Sequence, residues 1–161
     1  MRGGALPPAL LATALGFALA FAPRRILAPA MAVFAVAFIG VALTKVPQPW
    51  TDAVFYACWA SVIVTALSVH LPKGLPSPAA LALAVNAGLW AGTVLSTTGT
   101  SLDITKSLPW VLLCLPARWL AGQRFSVAIK VVSSWLAAVA ILAAALPTTT
   151  PTPGYAPDHM E

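Results

Sequence analysis

Long, uninterrupted apolar runs constrain this sequence more than any motif does. Residues 6–22 and 26–43 contain no charged side chain, and later runs of similar length contain almost none. Only 8% of the 161 residues are charged, whereas soluble domains carry about 25%. Because so few charges cannot coat a surface that faces water, we expect a lipid bilayer to surround most of the chain.

The apolar runs also indicate the fold class. In lipid, backbone polar groups must be paired within the protein, which leaves helices or closed barrels. Barrel strands alternate polar and apolar residues, whereas these runs are continuous and rich in Ala and Leu. The sequence predicts an all-α, polytopic transmembrane helical bundle within residues 1–146. Its short spans are expected at residues 6–22, 26–43, 53–71, 79–97, 108–120 and 125–146.

The fifth segment, residues 108–120, leaves two topologies open. It is shorter than the roughly 17–25 residues of a usual span, and Pro116 removes one backbone donor inside it. The bundle therefore has six spans, or five if this segment is interfacial or re-entrant. Both topologies place six basic residues inside and three outside, so the positive-inside rule does not separate them. The Ser/Thr-rich stretch 96–107 is typical of an outer loop and favours six spans.

The first segment also resembles a secretory signal peptide. Arg2 precedes an apolar run that ends in Ala20-Phe21-Ala22, an A-x-A pattern. Proline at the next position is a poor context for cleavage, and Arg24-Arg25 follows directly, where positive charge opposes export. We therefore expect the segment to stay uncleaved and to form the first helix.

Residues 147–161 have a different composition from the rest. Alternating Pro and Thr predict an extended C-terminal tail, because dense prolines favour a polyproline-like backbone. Both topologies place this tail on the outer side. Tyr155, Asp158 and Glu161 are the candidate residues for docking a partner, and the alternative is an unstructured end.

The fourth span contains the predicted helix-packing residues. Asn86 is the most central polar residue of any span, and an unpaired amide is costly in hydrocarbon. We expect it to bond to a neighbouring helix, with a polar path as the alternative. Gly88 and Gly92 form a GxxxG pair, which lets two helices approach closely. Together they make the fourth span the predicted packed centre, against a helix of this chain or of another.

His70 and Lys130 are the candidate residues of a polar path. His70 ends the third span, and Lys130 lies one turn inside the last one. The simpler interpretation is an interfacial histidine and a lysine whose long stem reaches the membrane surface. A transport role would have to use these two residues together with Asn86.

No pattern in the sequence is typical of catalysis. Paired carboxylates within spans, HExxH, GxSxG and P-loop motifs do not occur. Cys58 and Cys114 lack the spacing of a metal site. The net charge is +5, but scattered basic residues do not form a nucleic-acid stripe. We expect no enzymatic activity, no metal or other cofactor and no nucleic-acid partner.

These observations predict a small, non-catalytic membrane protein, most simply a structural or accessory subunit of a larger membrane assembly. Its partners would be the bilayer and another membrane protein. A homo-oligomeric pore or holin-like permeabiliser is the alternative, and a small carrier for an apolar or small solute is the third. The Ala-, Leu- and Pro-rich composition is typical of a GC-rich bacterial source, so the expected location is the bacterial inner membrane.

Overall fold

The chain is a bundle of antiparallel helices. The computed structural model describes residues 6–44, 50–98, 101–123 and 125–149, and all regular structure in these ranges is helical. The elements are α1 (Leu6–Ala20), α2 (Arg24–Ala42), α3 (Thr51–Ser68), α4 (Ser77–Thr98), α5 (Ser101–Ser107), a 3₁₀ helix (Leu108–Leu113), α6 (Cys114–Gly122) and α7 (Ser126–Thr149). The expected all-α fold is confirmed.

Helices α2, α3, α4 and α7 are long and apolar enough to cross a membrane. Their outward faces carry large apolar side chains: Val36 on α2 is 73% exposed and Val131 on α7 is 61% exposed. Exposing apolar area to water costs about 25 cal/mol per Å², a cost that lipid removes. Four of the six expected spans therefore have the required length and composition.

Helix α1 lies at the centre of the bundle. Ten of its fifteen residues are buried, about two thirds. In α4, by contrast, 44% of the most apolar 18-residue stretch is buried. Helix α1 contacts α3, α4, α7 and three short helices, namely α5, the 3₁₀ helix and α6. The sequence predicted the fourth span as the packed centre, whereas the structure has α1 there. Composition did not reveal this, because α1 is apolar on all sides and shows no face that marks it as interior.

The fifth segment, residues 108–120, is broken into the 3₁₀ helix and α6, and the short helix α5 precedes it within the stretch expected as a loop. The prolines of the fifth segment account for the breaks. Pro109 lies at the start of the 3₁₀ helix. Pro116 is the third residue of α6, where a backbone N–H would have no partner within the helix. Gly16 of α1 gives the segment room: a Cβ there would lie 3.1 Å from the Val111 carbonyl oxygen and 3.2 Å from the Cys114 nitrogen. The expected irregularity at Pro116 is a helix boundary.

Hydrogen bonds join three connections at one end of the bundle. The Leu75 amide, in the turn between α3 and α4, donates to the Phe21 carbonyl at 3.2 Å. Arg118 Nη1 of α6 donates to the Ala22 carbonyl at 2.7 Å. The fifth segment, which follows the opposite end of α4, thus reaches the end where α1 finishes. We call this end, with the α1–α2, α3–α4 and α6–α7 connections, the basic end.

Five of the six basic residues in the described part of the chain lie at the basic end. They are Arg24, Arg25, Lys73, Arg118 and Lys130. Helix α7 starts at this end and runs antiparallel to α3, because Ser134 of α7 hydrogen-bonds His70 near the end of α3. The described acids, Asp52 and Asp103, begin α3 and α5 at the opposite end.

Helices α2 and α7 each continue through a proline. Pro29 is within α2, in the span expected at residues 26–43. Helix α7 continues through Pro147 to Thr149, past residue 147 where the extended tail was expected to begin. A proline has a helical φ and removes a single donor, so neither position ends its helix. Residues 150–161 lie outside the described part of the chain.

The closest helix contact is between α4 and α2, and it is made by the GxxxG pair. A Cβ on Gly88 would lie 2.7 Å from both the Phe34 carbonyl oxygen and Ala37 Cβ, and one on Gly92 would lie 2.6 Å from the Phe38 carbonyl oxygen. Backbone atoms at these distances cannot move aside cheaply. The partner of this motif is thus a helix of the same chain.

We predict that Gly88→Ala and Gly92→Ala each lower the free energy of unfolding by about 1–3 kcal/mol, as overpacking usually does. Thermal unfolding of the purified protein in detergent, followed by circular dichroism, measures the change. Gly40→Ala is the matched control, because a Cβ at this α2 glycine meets nothing within 4 Å. Equal unfolding temperatures for all three variants would contradict the backbone contact.

Candidate functional site: a lateral groove between α3 and α4

A groove of about 430 Å³ runs between α3 and α4 on the side of the bundle. From α3, it is lined by residues spaced three and four apart, which share one helix face. From α4, it is lined by residues with the same periodicity. The lining residues are Ala57, Ala60, Ser61, Val64, Ala82, Leu83, Asn86 and Trp90. The three alanines leave the space, and the larger side chains form its walls.

A polar pair lies in this groove at mid-helix depth. Asn86 Nδ2 of α4 donates a hydrogen bond to Ser61 Oγ of α3. Ser61 is 4% exposed, and Asn86 is half-buried and lines the groove. An amide side chain has two N–H donors and two acceptor lone pairs. The bond to Ser61 uses only one of these, so the groove offers hydrogen-bonding capacity in an apolar setting.

Helix α4 uses opposite faces for its two contacts. Gly88 and Gly92 face α2, whereas Asn86 and Trp90 line the groove beside α3. Residues two apart on a helix point in nearly opposite directions, because each residue turns the helix by about 100°. The helix-packing residues predicted from the sequence therefore make two different contacts. Gly88 and Gly92 pack against α2, whereas Asn86 hydrogen-bonds α3 and lines the groove.

The candidate polar-path residues lie elsewhere, at the basic end. His70 Nε2 is 3.0 Å from Ser134 Oγ, and Lys130 is one helical turn before Ser134 on α7. Three further polar atoms of α3 and α7 are buried and have no hydrogen-bond partner among the described residues: Trp59 Nε1, Thr65 Oγ1 and Ser133 Oγ. The structure thus brings His70 to the helix that carries Lys130, away from Asn86 in the groove.

The remaining predicted residues contribute nothing to the groove. Tyr155, Asp158 and Glu161 lie outside the described residues. Cys58 and Cys114 are buried free thiols on α3 and α6. In the described ranges, no group of three or more His, Cys, Asp or Glu residues is placed to hold a metal ion.

The groove can bind, but it has no group for acid–base chemistry. None of its eight lining side chains titrates near neutral pH. It combines small residues with one polar pair, and these are the two features through which helices associate in lipid. No protein-family model, no curated protein and no solved structure matches the chain.

Two residues at close contacts escaped the sequence interpretation. Ser61 holds Asn86, and Gly16 admits the fifth segment beside α1. Ser61 gave a weak signal, since it is one of few hydroxyl residues in the middle of its apolar run. Gly16 gave a weak signal too: Ala12 and Ala20 lie four residues on either side of it, but such small-residue spacing is common by chance in an Ala-rich helix.

We predict an energetic coupling between Asn86 and Ser61. A double-mutant cycle with Asn86→Ala and Ser61→Ala, measured by unfolding in detergent, should give about 0.6–1.7 kcal/mol, the range found for hydrogen bonds between membrane helices. Ser68→Ala is the matched control, because the Ser68 hydroxyl donates to the Thr65 carbonyl of its own helix at 2.7 Å. Strict additivity of Asn86→Ala and Ser61→Ala would contradict the bond.

Proposed function

We propose that the chain is a multi-pass membrane protein that crosses the bilayer six times. Four helices have the length and composition of spans. Helix α1 is shorter, with 15 residues, but contacts most of the other helices along the bundle axis. The α5–3₁₀–α6 segment would cover about 36 Å if its helices were collinear, enough for a hydrocarbon core of about 30 Å. Its Arg118–Ala22 bond at the basic end supports a crossing.

We further propose that the basic end faces the cytoplasm. Five of the six described basic residues lie there, and such residues accumulate on the cytoplasmic side of membrane proteins. A bacterial inner membrane is the proposed location, on the compositional ground given above.

Cysteine labelling tests the number of crossings. We predict that Lys73→Cys and Gln123→Cys are both protected from a membrane-impermeant maleimide added outside intact cells, whereas Leu102→Cys reacts. All three positions are exposed, and the native Cys58 and Cys114 are buried. In a five-crossing protein, Leu102 and Gln123 would share a side and Lys73 would lie on the other. That pattern would overturn the six-crossing proposal.

Within this bundle, we propose that the chain is an accessory subunit of a membrane assembly and binds a transmembrane helix of a partner protein in the lateral groove. The observation that carries this proposal is the mid-helix Asn86–Ser61 pair in an alanine-lined groove open to the side. The matching partner helix presents small residues for close approach and a hydrogen-bonding side chain such as Ser, Thr or Asn at mid-depth.

The shape of the surface favours a different protein over a second copy as the occupant. A two-fold dimer would place groove against groove, and two concave surfaces do not fill each other. The outward face of α2 carries large apolar side chains such as Val36, and α2 contains no hydroxyl or amide side chain that could pair with Asn86. The axis of the bundle is occupied by α1, which supports a packing function over conduction through a single chain.

Site-specific photo-crosslinking tests the partner. With benzoylphenylalanine at Val64, which is 57% exposed in the groove, we predict an adduct with a different membrane protein. The same probe at Val36, which is 73% exposed on α2, should give none. Deletion of this chain should then lower the level of the crosslinked protein's assembly, as expected for an accessory subunit.

Filling the groove with a large side chain is the second test of the partner site. Ala60→Trp should reduce the Val64 adduct by about tenfold, corresponding to a loss of about 1.4 kcal/mol, whereas Ala32→Trp should not. Both alanines are exposed, and Ala32 is on α2. An adduct that is a dimer of this chain would support the homo-oligomer instead. An adduct that forms equally at Val36, or that survives Ala60→Trp, would overturn docking in the groove.

A further inference from the structure

A second pocket, of about 570 Å³, opens between α2 and α6 at the basic end. It is lined by residues of the first turn of α2 and by successive turns of α6. Its volume lies in the range of small-ligand sites, about 300–1,000 Å³. It is separate from the lateral groove and shares no lining residue with it.

The pocket combines two guanidinium groups with an apolar wall. Arg24 comes from α2 and Arg118 from α6, and Gln123 adds an amide at the end of α6. Leu27, Leu115 and Trp119 supply the apolar side. No lining residue is acidic, and the acids of the described ranges begin α3 and α5 at the opposite end. The positive charge of the pocket is therefore not neutralised by a carboxylate of its own lining.

Arg118 is held in position by the fold. Its Nη1 donates to the Ala22 carbonyl at 2.7 Å, which fixes the guanidinium beside the α1–α2 connection, two residues before Arg24. A guanidinium has five N–H donors in a planar fork, so this bond uses one of them. The guanidinium is thus held in place by one hydrogen bond, and its remaining N–H donors can pair with the oxygens of a phosphate group.

The start of α2 adds to the same field. Arg24 is the first residue of α2, and no side chain caps the helix. The N–H groups of an uncapped first turn, together with the helix dipole, favour an anion. Two arginines and this helix start therefore converge on a pocket whose other wall is apolar.

We propose that this pocket binds a phosphate-bearing group. Leu27 lies one turn after Arg24 on α2 and Leu115 one turn before Arg118 on α6, so both leucines lie farther from the basic end than the arginines. An anionic phospholipid therefore satisfies both halves of the pocket, with its headgroup phosphate on the arginines and an acyl chain along the leucines. Free phosphate shares only the first half. This site is independent of the partner helix proposed for the lateral groove.

Lipid binding to the purified full chain tests the proposal. The probes are phosphatidylglycerol and inorganic phosphate, each titrated against the protein in a neutral detergent and followed by native mass spectrometry. We expect Arg24→Gln to weaken binding by about tenfold, as the loss of one charged hydrogen-bond partner does. Arg25→Gln is the matched control: it removes the same charge from the next residue of α2, which does not line the pocket.

The two probes distinguish the source of the phosphate. Binding of phosphatidylglycerol alone, with loss in Arg24→Gln and retention in Arg25→Gln, supports a lipid headgroup. Binding of inorganic phosphate with the same dependence supports a soluble ligand. If neither probe binds, the proposal is wrong. It is also wrong if Arg25→Gln weakens binding as much as Arg24→Gln, because the attraction is then a diffuse effect of positive charge. Arg24 is exposed, so Arg24→Gln is expected to fold normally, which unfolding in detergent checks.

Discussion

The burial of α1 along the axis is the constraint on which the rest of the bundle depends. Once this helix fills the centre, α3, α4, α7 and the broken fifth segment must each find room against it. They do so through small side chains, because α1 buries alanines and Gly16 among its leucines. The proline-containing fifth segment does not form one straight helix. Its backbone packs so closely on Gly16 that a Cβ there would lie 3.1 Å from the Val111 carbonyl oxygen.

Backbone carbonyls next to α1 give the bundle its polar organisation. The Phe21 carbonyl receives the amide of the α3–α4 turn, and the Ala22 carbonyl receives Arg118. The short α1–α2 connection therefore fixes the positions of two other elements, the α3–α4 turn and α6. The same Arg118 borders the α2–α6 pocket, so a bond that stabilises the fold also orients a charge at the surface. In the lateral groove, Asn86 likewise joins α3 to α4 and still faces open space.

Composition and periodicity predicted the helices well, since an 18-residue apolar run in lipid has few alternatives to an α-helix. They also predicted that Asn86 and the glycines contact other helices. They did not predict which helix meets which. The choice of α2 as partner of Gly88 and Gly92 depends on the three-dimensional fit of Phe34, Ala37 and Phe38, which leaves no mark on the local sequence. Likewise, α1 and α7 are both rich in Ala and Leu, yet one is central and the other peripheral.

The lack of polar surface on α1 has a consequence for the order in which the fold forms. Its one polar side chain in the described range, Thr13, donates to the Ala9 carbonyl of the same helix at 2.8 Å. In lipid, α1 therefore has no unpaired side-chain polar group even before α3 to α7 pack against it. Helix α1 precedes all of these helices in the chain, so its surroundings are complete only when α7 is in place. The bundle is thus built from its centre outward.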